Sequence, residues 1–343
     1  MKTSSALFLT ALLLGQTALG ADGPARAWGS LDLLQRTIPA GEKRKFSFQD
    51  VPTFEGSFLN SAIFAARGSR QGPTLCLTAL IHGDERNGFE VARTAFAQTD
   101  ARQLAGTLIA LPAINVNGFR TGSRYMPDRR DLNRAFPGNA KGDNTALVAA
   151  IVFDVIKAHC DALIDLHTGS FDRANLPQVR VDLANPRALE LARRFGAAVV
   201  MGGAGPNGSL RREAMDAGIP SIIYEAGLPL RFEPEEISRG VQGVRNVLIH
   251  LGMVTGKPTD MTPESHVYAS SRWLRAPVGQ SGVFYADKPL GAIVSAGEAI
   301  AHIDDPFTDQ RHYVKADTAG TIVGMAVPQV VFSGYALIHV ARK

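Results

Sequence analysis

Short apolar runs alternate with amphipathic segments along the first 250 residues of the chain. Short apolar runs are typical of buried strands, and apolar positions three and four residues apart are typical of helices. The strands that this pattern predicts span residues 74–81, 106–111, 162–167, 198–201 and 220–225. The predicted helices span residues 85–98, 145–158, 187–195, 210–217 and 235–250. The alternation predicts an α/β fold with a mixed, mostly parallel sheet and helices on both faces.

The pattern changes on either side of this region. Residues 68–73 contain glycine and proline and are typical of a turn before the first of these strands. Residues 253–264 are typical of a linker for the same reason. Beyond them, short β-type runs alternate with turn residues. The sequence therefore predicts a main domain over residues 21–252 and a small all-β domain over residues 265–343.

The first twenty residues have the pattern of an export signal. Lys2 provides a positive charge, residues 6–14 are apolar, and the small residues Ala18 and Gly20 precede a cleavage site before Ala21. The apolar run is shorter than a membrane-spanning helix requires, and a single membrane anchor is the alternative interpretation. We therefore expect an exported protein, periplasmic if the source is Gram-negative, with no membrane span once the signal is removed.

The composition is that of a packed globular protein, and it disfavours some partners. Of 343 residues, 45% are hydrophobic and 20% are charged, with a net charge of +4. Because the basic residues are spread along the chain, we expect no nucleic-acid partner. The two cysteines, Cys76 and Cys160, each lie on or beside a predicted buried element. An oxidising compartment permits a disulfide, and two buried free thiols are the alternative.

Metal-ligating side chains follow or end several of the predicted strands. His82 and Glu85 come after the strand at 74–81, His167 ends the strand at 162–167, and Glu225 ends the strand at 220–225. The carboxyl ends of parallel strands form one edge of a sheet, where ligands bind. Two histidines and one glutamate are a catalytic zinc set, although non-haem Fe(II) uses a similar set. The export signal and the spare carboxylate of Glu225 favour zinc-assisted hydrolysis.

Two acidic residues lie close to these candidate ligands in the sequence. Asp165 lies two residues before His167 and could orient its imidazole through a hydrogen bond. Asp84 lies between His82 and Glu85, and we assign it to a turn or to a supporting contact rather than to the metal.

Four motifs carry a resemblance to a known family. They are residues 82–88 (His-Gly-Asp-Glu-Arg-Asn-Gly), Arg124-Tyr125 followed by residues 131–138 (Asp-Leu-Asn-Arg-Ala-Phe-Pro-Gly), residues 165–168 (Asp-Leu-His-Thr), and residues 225–227 (Glu-Ala-Gly). Over about residues 60–250 the chain resembles the succinylglutamate desuccinylase/aspartoacylase family of the zinc carboxypeptidase superfamily. The resemblance implies that the main domain is a zinc hydrolase catalytic domain with one Zn²⁺ per chain.

The resemblance also implies roles for individual residues. His82, Glu85 and His167 would bind zinc, and Glu225 would be the general base and then the general acid. Arg124 would polarise the scissile carbonyl. Asn133 and Arg134 would bind a substrate carboxylate, and all three lie in a long polar loop that the sequence predicts over residues 115–142.

Some features depart from the family or are left open by it. The better-known members are cytoplasmic, which puts their particular substrates in doubt for an exported chain. Arg173 or Arg180 could bind a second acidic group, and an ordinary salt bridge is the favoured alternative for each. The carboxy-terminal domain looks like a biotinyl/lipoyl-type barrel-sandwich. Because residues 325–327 (Met-Ala-Val) contain no lysine, we do not expect a carrier role; shielding of the active site is the favoured role.

These observations predict a zinc-dependent deacylase. It would cleave the amide bond of an N-acyl amino acid, and its partner would be a small molecule that carries a carboxylate. A metallocarboxypeptidase acting on short, possibly cell-wall, peptides is the first alternative. A zinc-binding protein without catalytic activity is the second. The acyl group, the amino acid and the oligomeric state stay open.

Overall fold

The computed structural model describes residues 28–52, 58–259 and 265–342. The predicted export signal and part of the predicted linker lie outside these ranges. The amino-terminal strands are β1 (Leu31–Leu33), β2 (Arg36–Ile38), β3 (Glu42–Pro52), β4 (Phe58–Arg67) and β5 (Arg70–Ala79). Strands β1 and β2 form a separate hairpin, whereas β3, β4 and β5 belong to the large sheet.

Helices and strands alternate along most of the α/β region. They are α1 (Asn87–Gln98), β6 (Ala105–Ala113), α2 (Val116–Thr121), a 3₁₀ turn (Leu132–Arg134), α3 (Asn144–His159), β7 (Ala162–His167), β8 (Arg173–Val181), α4 (Pro186–Phe195), β9 (Val199–Gly202), α5 (Leu210–Asp216), β10 (Ser221–Gly227) and α6 (Pro234–His250). No helix in the described ranges combines the length and the apolar composition that a membrane crossing requires.

Parallel strands form the centre of the large sheet. Strands β10, β7, β5 and β6 are neighbours in this order and run parallel. Antiparallel β4 and β3 extend the sheet on one side, and antiparallel β8 extends it on the other. Leu75 and Leu77 of β5 face a core shared with α1, α4 and α6, whereas Cys76 faces a second core shared with α3 and α5. The predicted mixed α/β sheet with helices on both faces is therefore confirmed.

The carboxy-terminal strands continue this sheet and also form a second one. They are β11 (His266–Tyr268), β12 (Ser270–Arg275), β13 (Gly282–Ala286), β14 (Ile293–Val294), β15 (Ala299–Asp304), β16 (Arg311–Lys315), β17 (Gly320–Ala326), β18 (Gln329–Val331) and β19 (Ala336–Arg342). Strand β17 pairs with β8, and β19 and β12 follow it at the sheet edge. Strands β16, β15, β13 and β18 form a separate four-stranded sheet.

Three details of the predicted elements are wrong. Strand β5 begins at Arg70, so most of the predicted turn at 68–73 is strand. Gly72 packs against the backbone of β6, where a Cβ would lie 2.7 Å from the carbonyl carbon of Ala105. Pro73 lies at an irregularity in the β5–β6 pairing, which is where strands tolerate proline. Helix α1 begins at Asn87, so Glu85 lies in the turn before it. The predicted loop at 115–142 contains α2 and the 3₁₀ turn.

Strand β8 is absent from the predicted elements. Its sequence contains Arg173, Asn175, Gln178 and Arg180, and Pro177 lies within it. Polar residues and a proline make a weak strand pattern. The strand forms because β10, β17 and β9 supply pairing partners along its length.

Cys76 and Cys160 form a disulfide in the second core. Their Cα atoms are 5.7 Å apart, and the bridge joins β5 to the residue that ends α3. Of the two alternatives that the sequence left open, the structure has the disulfide.

Candidate functional site

The three candidate metal ligands lie together at the carboxyl edge of the parallel strands. His167 is the last residue of β7, and His82 and Glu85 lie in the turn between β5 and α1. The turn needs glycine at position 83, because a Cβ there would lie 2.0 Å from the carbonyl carbon of Gly118. The three side chains are buried, with at most 4% of each residue exposed.

The ligand atoms of this triad converge on one point. His82 Nδ1 lies 2.7 Å from Glu85 Oε1, and His167 Nδ1 lies 2.6 Å from Glu85 Oε2. One potential ligand atom from each residue lies within 4.8 Å of the others. Two imidazole nitrogens and one carboxylate are the donors that catalytic zinc sites use, with a further position left open. The residues therefore fit a metal ion.

Each histidine has a carboxylate behind it. His167 Nε2 lies 2.8 Å from Asp165 Oδ2, and the hydroxyl of Thr78 donates to Asp165 Oδ1 at 2.7 Å. His82 Nε2 lies 3.2 Å from Asp131 Oδ1. Carboxylates in this position fix the orientation of a ligating imidazole and increase its basicity. The sequence pointed to Asp165 in this position, whereas Asp131 was part of a motif without an assigned role.

The charges of the triad favour a cation at its centre. Burial raises the pKa of Glu85, but the opposing effect of His82 and His167 is larger, so the pKa lies below its usual range. Burial lowers the pKa of His167, but Asp165 and Glu85 raise it well above the usual value. Asp165 and Glu85 thus favour a proton on the His167 imidazole, which a metal ion would have to replace. A divalent cation would satisfy the same carboxylates.

Arg124 contacts the triad from the loop. Its Nη1 lies 3.3 Å from Glu85 Oε1, and its Nη2 lies 2.8 Å from Asp131 Oδ2. Burial lowers the pKa of Arg124, but the charges of Glu85 and Asp131 raise it above the usual value. The guanidinium is therefore a fixed positive charge next to the candidate metal ligands.

Glu225 lies at the same edge of the sheet, near the carboxyl end of β10. It is the register partner of His167 on the neighbouring strand β10. Asn175 Nδ2 donates to Glu225 Oε2, and Arg180 Nη1 lies 3.0 Å from Glu225 Oε1. Both partners belong to β8. The carboxylate is therefore held by two side chains, and Arg180 forms an ion pair inside the site.

Asn133 and Arg134 lie in the 3₁₀ turn near the start of α5. Asn133 is buried, and its Oδ1 accepts a hydrogen bond of 2.8 Å from the amide of Leu210. Arg134 is exposed and donates to the carbonyl of Asn133 at 2.6 Å. Arg134 forms no ion pair with any residue in the described ranges, so its charge is available to a ligand.

A further arginine beside the site was missed by the sequence patterns. Arg211 in α5 is 4% exposed, and its Nη1 donates to the carbonyl of Gly203 at 2.7 Å. Its Nε has no hydrogen-bond partner within the described part of the chain. Burial, followed by the nearby charge of Arg180, lowers the pKa of Arg211 to about 10. Its position three residues before the apolar Ala214 was the available signal, because residues at this spacing lie on the same face of a helix.

Comparisons with known proteins point to the same family as the sequence motifs. Residues 71–251 match the model of the succinylglutamate desuccinylase/aspartoacylase catalytic domain. The Nα-acetyl-L-2,4-diaminobutyric acid deacetylase of Halomonas elongata is 28% identical over 247 residues, which cover 68% of this chain and 71% of that protein.

Solved structures show the same fold over nearly the whole chain. A succinylglutamate desuccinylase/aspartoacylase from Rhodobacter sphaeroides matches with a TM-score of 0.80 and 25% identity, covering 88% of this chain and 95% of that one. The product-bound ectoine utilization protein EutE (DoeB) from Ruegeria pomeroyi matches with a TM-score of 0.80 and 24% identity, covering 89% and 97%. The match to the second structure supports the fold alone.

Proposed function

Because this chain belongs to the succinylglutamate desuccinylase/aspartoacylase family, we propose that it is a zinc-dependent hydrolase that cleaves the amide bond of an N-acyl amino acid. The observation that carries the proposal is the convergence of His82, Glu85 and His167 within 4.8 Å, with Glu225 on the adjacent strand. The relative from Halomonas elongata, a deacetylase of an acylated amino acid by its name, supports the same reaction class.

In this proposal His82, Glu85 and His167 would hold one zinc ion per chain. A zinc ion held there would supply Lewis acidity and would lower the pKa of a water molecule to about 7. Asp165 and Asp131 keep the two imidazoles oriented.

Glu225 is the proton carrier of the proposed reaction. Its carboxylate accepts a proton from the attacking water and delivers it to the leaving amine. Asn175 and Arg180 hold one carboxylate oxygen each, so the group cannot rotate away from the substrate. General acid–base groups contribute about 10²–10⁴-fold to a rate when they are positioned in this way.

Arg124 is the group that stabilises negative charge on the scissile carbonyl oxygen. It stands beside the triad and is held by Glu85 and Asp131. A fixed donor aimed at a developing oxyanion contributes about 3–4 kcal/mol to transition-state stabilisation.

The substrate's amino-acid carboxylate would bind near the start of α5. Asn133 uses its Oδ1 on Leu210, which leaves its amide NH₂ for a ligand. Arg134 and Arg211 supply two guanidinium groups without an ion pair in the described chain. A buried cation without a counterion is costly, and a substrate carboxylate would remove that cost.

Turnover by the zinc-loaded protein tests the proposal. We expect release of free amino acid from N-acyl amino acids, slower or no cleavage of short peptides, and a kcat lower by about 10²–10⁴-fold for Glu225→Gln. Zinc content should be unchanged in this variant, because Glu225 is not a ligand. Preferred cleavage of peptides would instead favour the metallocarboxypeptidase. Zinc binding without any amide hydrolysis would favour a non-catalytic zinc protein.

We also propose that the chain is exported. The leader-like pattern of residues 1–20 motivates this proposal, and the Cys76–Cys160 disulfide supports it, because disulfides persist mainly in oxidising compartments. Cell fractionation with mass spectrometry of the mature amino terminus tests it. We expect a chain that begins at Ala21; a cytoplasmic chain that retains residues 1–20 would contradict the proposal.

A further inference from the structure

The turn that carries Glu85 is hydrogen-bonded to the loop that follows Glu225. The carbonyl of Asp84 accepts a hydrogen bond of 2.7 Å from the amide of Leu230, and Arg86 Nη1 donates to the carbonyl of Leu230 at 3.2 Å. Leu230 has a φ of 60°, a region that non-glycine residues rarely adopt. The residues on both sides of Glu85 therefore hold this loop in an unfavourable backbone conformation, which is typical of functional sites.

Asn87 and Glu233 add further hydrogen bonds between the same two segments. Asn87 Oδ1 accepts the amide of Glu233 at 2.9 Å, and Asn87 Nδ2 donates to Glu233 Oε2 at 2.9 Å. The same Nδ2 donates to the carbonyl of Ala226 at 3.2 Å, and Glu233 Oε2 also accepts the amide of Leu228 at 2.7 Å. We call these two residues the Asn87–Glu233 pair.

The backbone between Ala226 and Leu228 fits closely against the Asn87–Glu233 pair. Gly227 has a φ of 80°, and a Cβ at this position would overlap Glu233 Oε2 and lie 2.8 Å from Asn87 Nδ2. A side chain would therefore push the pair away from the end of β10. Glycine allows the two polar groups to reach the backbone directly.

The Asn87–Glu233 pair makes a connection that the sheet does not supply. Strands β5 and β10 do not pair with each other, because β7 lies between them. Asn87 is 2% exposed and lies two residues after Glu85, and Ala226 directly follows Glu225. The pair thus joins the segment of a candidate metal ligand to the segment of the proposed proton carrier.

We propose that Asn87 and Glu233 are positioning residues, which hold Glu225 at the distance from the candidate metal ligands that proton transfer requires. This inference rests on the proposed function, which assigns the proton transfer to Glu225. A general base acts over a heavy-atom distance of about 2.6–3.2 Å, and a misplacement of about 1 Å can lower a rate by about 10²-fold. In this proposal the pair acts through Glu225 and not on the substrate.

Kinetics of Glu233→Ala test the role of the pair. With N-acyl amino acids and zinc-loaded protein, we expect kcat to fall by about 10–100-fold while KM and zinc content change less than about twofold. Glu233→Gln keeps the side-chain length and an acceptor oxygen, so its kcat should stay within about threefold of the wild type. Glu235→Ala is the matched control, because Glu235 is exposed and forms no hydrogen bond within the described chain.

A second background shows whether Glu233 acts through Glu225. In Glu225→Gln the group to be positioned is absent, so adding Glu233→Ala should lower kcat by less than about threefold. Asn87→Ala should lower the wild-type kcat about as much as Glu233→Ala does. The variant with both changes should lose less than about threefold more, because the two side chains form one unit.

Glu233→Asp keeps the test decisive if Glu233→Ala does not fold. Glu233 is the N-cap residue of α6 and makes no capping hydrogen bond with its side chain. Aspartate is among the preferred N-cap residues, so the urea concentration at half-unfolding should not fall. Its shorter side chain withdraws the carboxylate from Asn87 and Leu228, so kcat should fall to a value below that of Glu233→Gln.

Hydrogen exchange separates this inference from the proposed function. The amide of Leu230 is bonded to Asp84 and not to Glu233, so it reports on the whole loop. We expect its exchange to be at least about tenfold faster in Glu233→Ala or Glu233→Asp than in the wild type, and unchanged in Glu235→Ala.

Three results would overturn the inference. They are unchanged exchange at Leu230, a wild-type kcat in every folded variant of Glu233, and an equally large effect of Glu233→Ala in the Glu225→Gln background. A wild type that hydrolyses no N-acyl amino acid would contradict the proposed function, and the exchange at Leu230 would still decide whether the pair holds the loop.

Discussion

Asp165 and His167 lie two residues apart on β7, on the same face of the strand, and Asp165 Oδ2 is 2.8 Å from His167 Nε2. The aspartate is completely buried, and its other oxygen accepts the hydroxyl of Thr78. The strand itself therefore fixes the orientation of the imidazole. Its Nδ1 faces Glu85, and its Nε2 faces the buried carboxylate of Asp165.

This contact predicts a loss of metal affinity in Asp165→Asn. An amide is a weaker acceptor than a carboxylate, so the imidazole becomes a poorer ligand, and zinc affinity should fall by about 10–100-fold. Competition with a chromogenic chelator measures the affinity. Asp161→Asn is the matched control, because Asp161 lies just before the opposite end of β7 and accepts the amide of Thr74. Equal zinc affinity in the wild type and Asp165→Asn would show that Asp165 does not support the metal ligand.

Arg211 should help to bind the substrate, and its buried charge should lower the free energy of unfolding of the protein. In Arg211→Met the buried cation is replaced by an apolar side chain, so the free energy of unfolding should rise by about 1 kcal/mol. The same variant should lose about 10–100-fold in kcat/KM for N-acyl amino acids, because a charged hydrogen bond to the substrate is lost. Urea unfolding and steady-state kinetics measure the two effects.

Arg212→Met serves as the control for Arg211→Met. Arg212 is on the same helix but pairs with Asp216 at 2.7 Å, towards solvent. We expect its kinetics to equal those of the wild type. A variant at Arg211 that is both less stable and fully active would contradict the assignment of Arg211 to the substrate.

The Cys76–Cys160 disulfide should stabilise the fold. It closes a loop across a sequence separation of 84 residues, and a bridge of this kind contributes about 2–4 kcal/mol, mainly by restricting the unfolded chain. The double variant Cys76→Ala/Cys160→Ala should therefore unfold at lower urea concentration. A reductant present during unfolding should lower the stability of the wild type and leave that of the double variant unchanged. Identical unfolding curves for the two proteins would contradict this prediction.

His339 should make the fold sensitive to acid. It is buried against Trp273, with ring centroids 4.6 Å apart, and burial, followed by the charge of Arg180, lowers its pKa from 6.5 to about 3. Between these values the unfolded chain binds a proton that the folded chain does not. Above about pH 6.5 the titration of His339 therefore does not change the free energy of unfolding. Between about pH 6.5 and pH 3 it lowers that free energy by about 1.4 kcal/mol per pH unit.

His339→Phe isolates this effect, because phenylalanine retains the stacking on Trp273 and does not titrate. Urea unfolding of both proteins at pH 7, 6, 5 and 4 compares their free energies of unfolding. We expect the difference between the two proteins to shift in favour of His339→Phe as the pH falls. A constant difference over this range would show that His339 is protonated to the same extent in the folded and unfolded chains.

The candidate ligands were predictable because parallel strands impose a simple geometry. A histidine or glutamate at the carboxyl end of a strand reaches the same sheet edge as its counterparts on neighbouring strands. His167 and Glu225 are register partners for this reason, although 58 positions separate them in the sequence. The spacing of His82 and Glu85 is local, and the turn held by Gly83 preserves it.

Contacts between distant segments were not predictable in this way. Tyr335 and Phe171 are 164 residues apart, and no periodicity along the chain indicates that they touch. Strand β8 has a polar sequence and forms because three strands pair with it. The role of Asp131 behind His82 depends on how the long loop folds back over the triad.

The sequence by itself determined the alternation of strands and helices, the mixed sheet, and the residues that could ligate a metal, because these depend on side-chain periodicity and on positions at strand ends. The tertiary structure decided between a disulfide and two free thiols, and it paired Arg180 with Glu225. It left Arg211 and Arg173 without ion pairs in the described chain. It also placed aromatic rings of the carboxy-terminal strands around Arg173. The physical reason is that the partner of a charged side chain is chosen by distance in space, and long-range packing sets that distance.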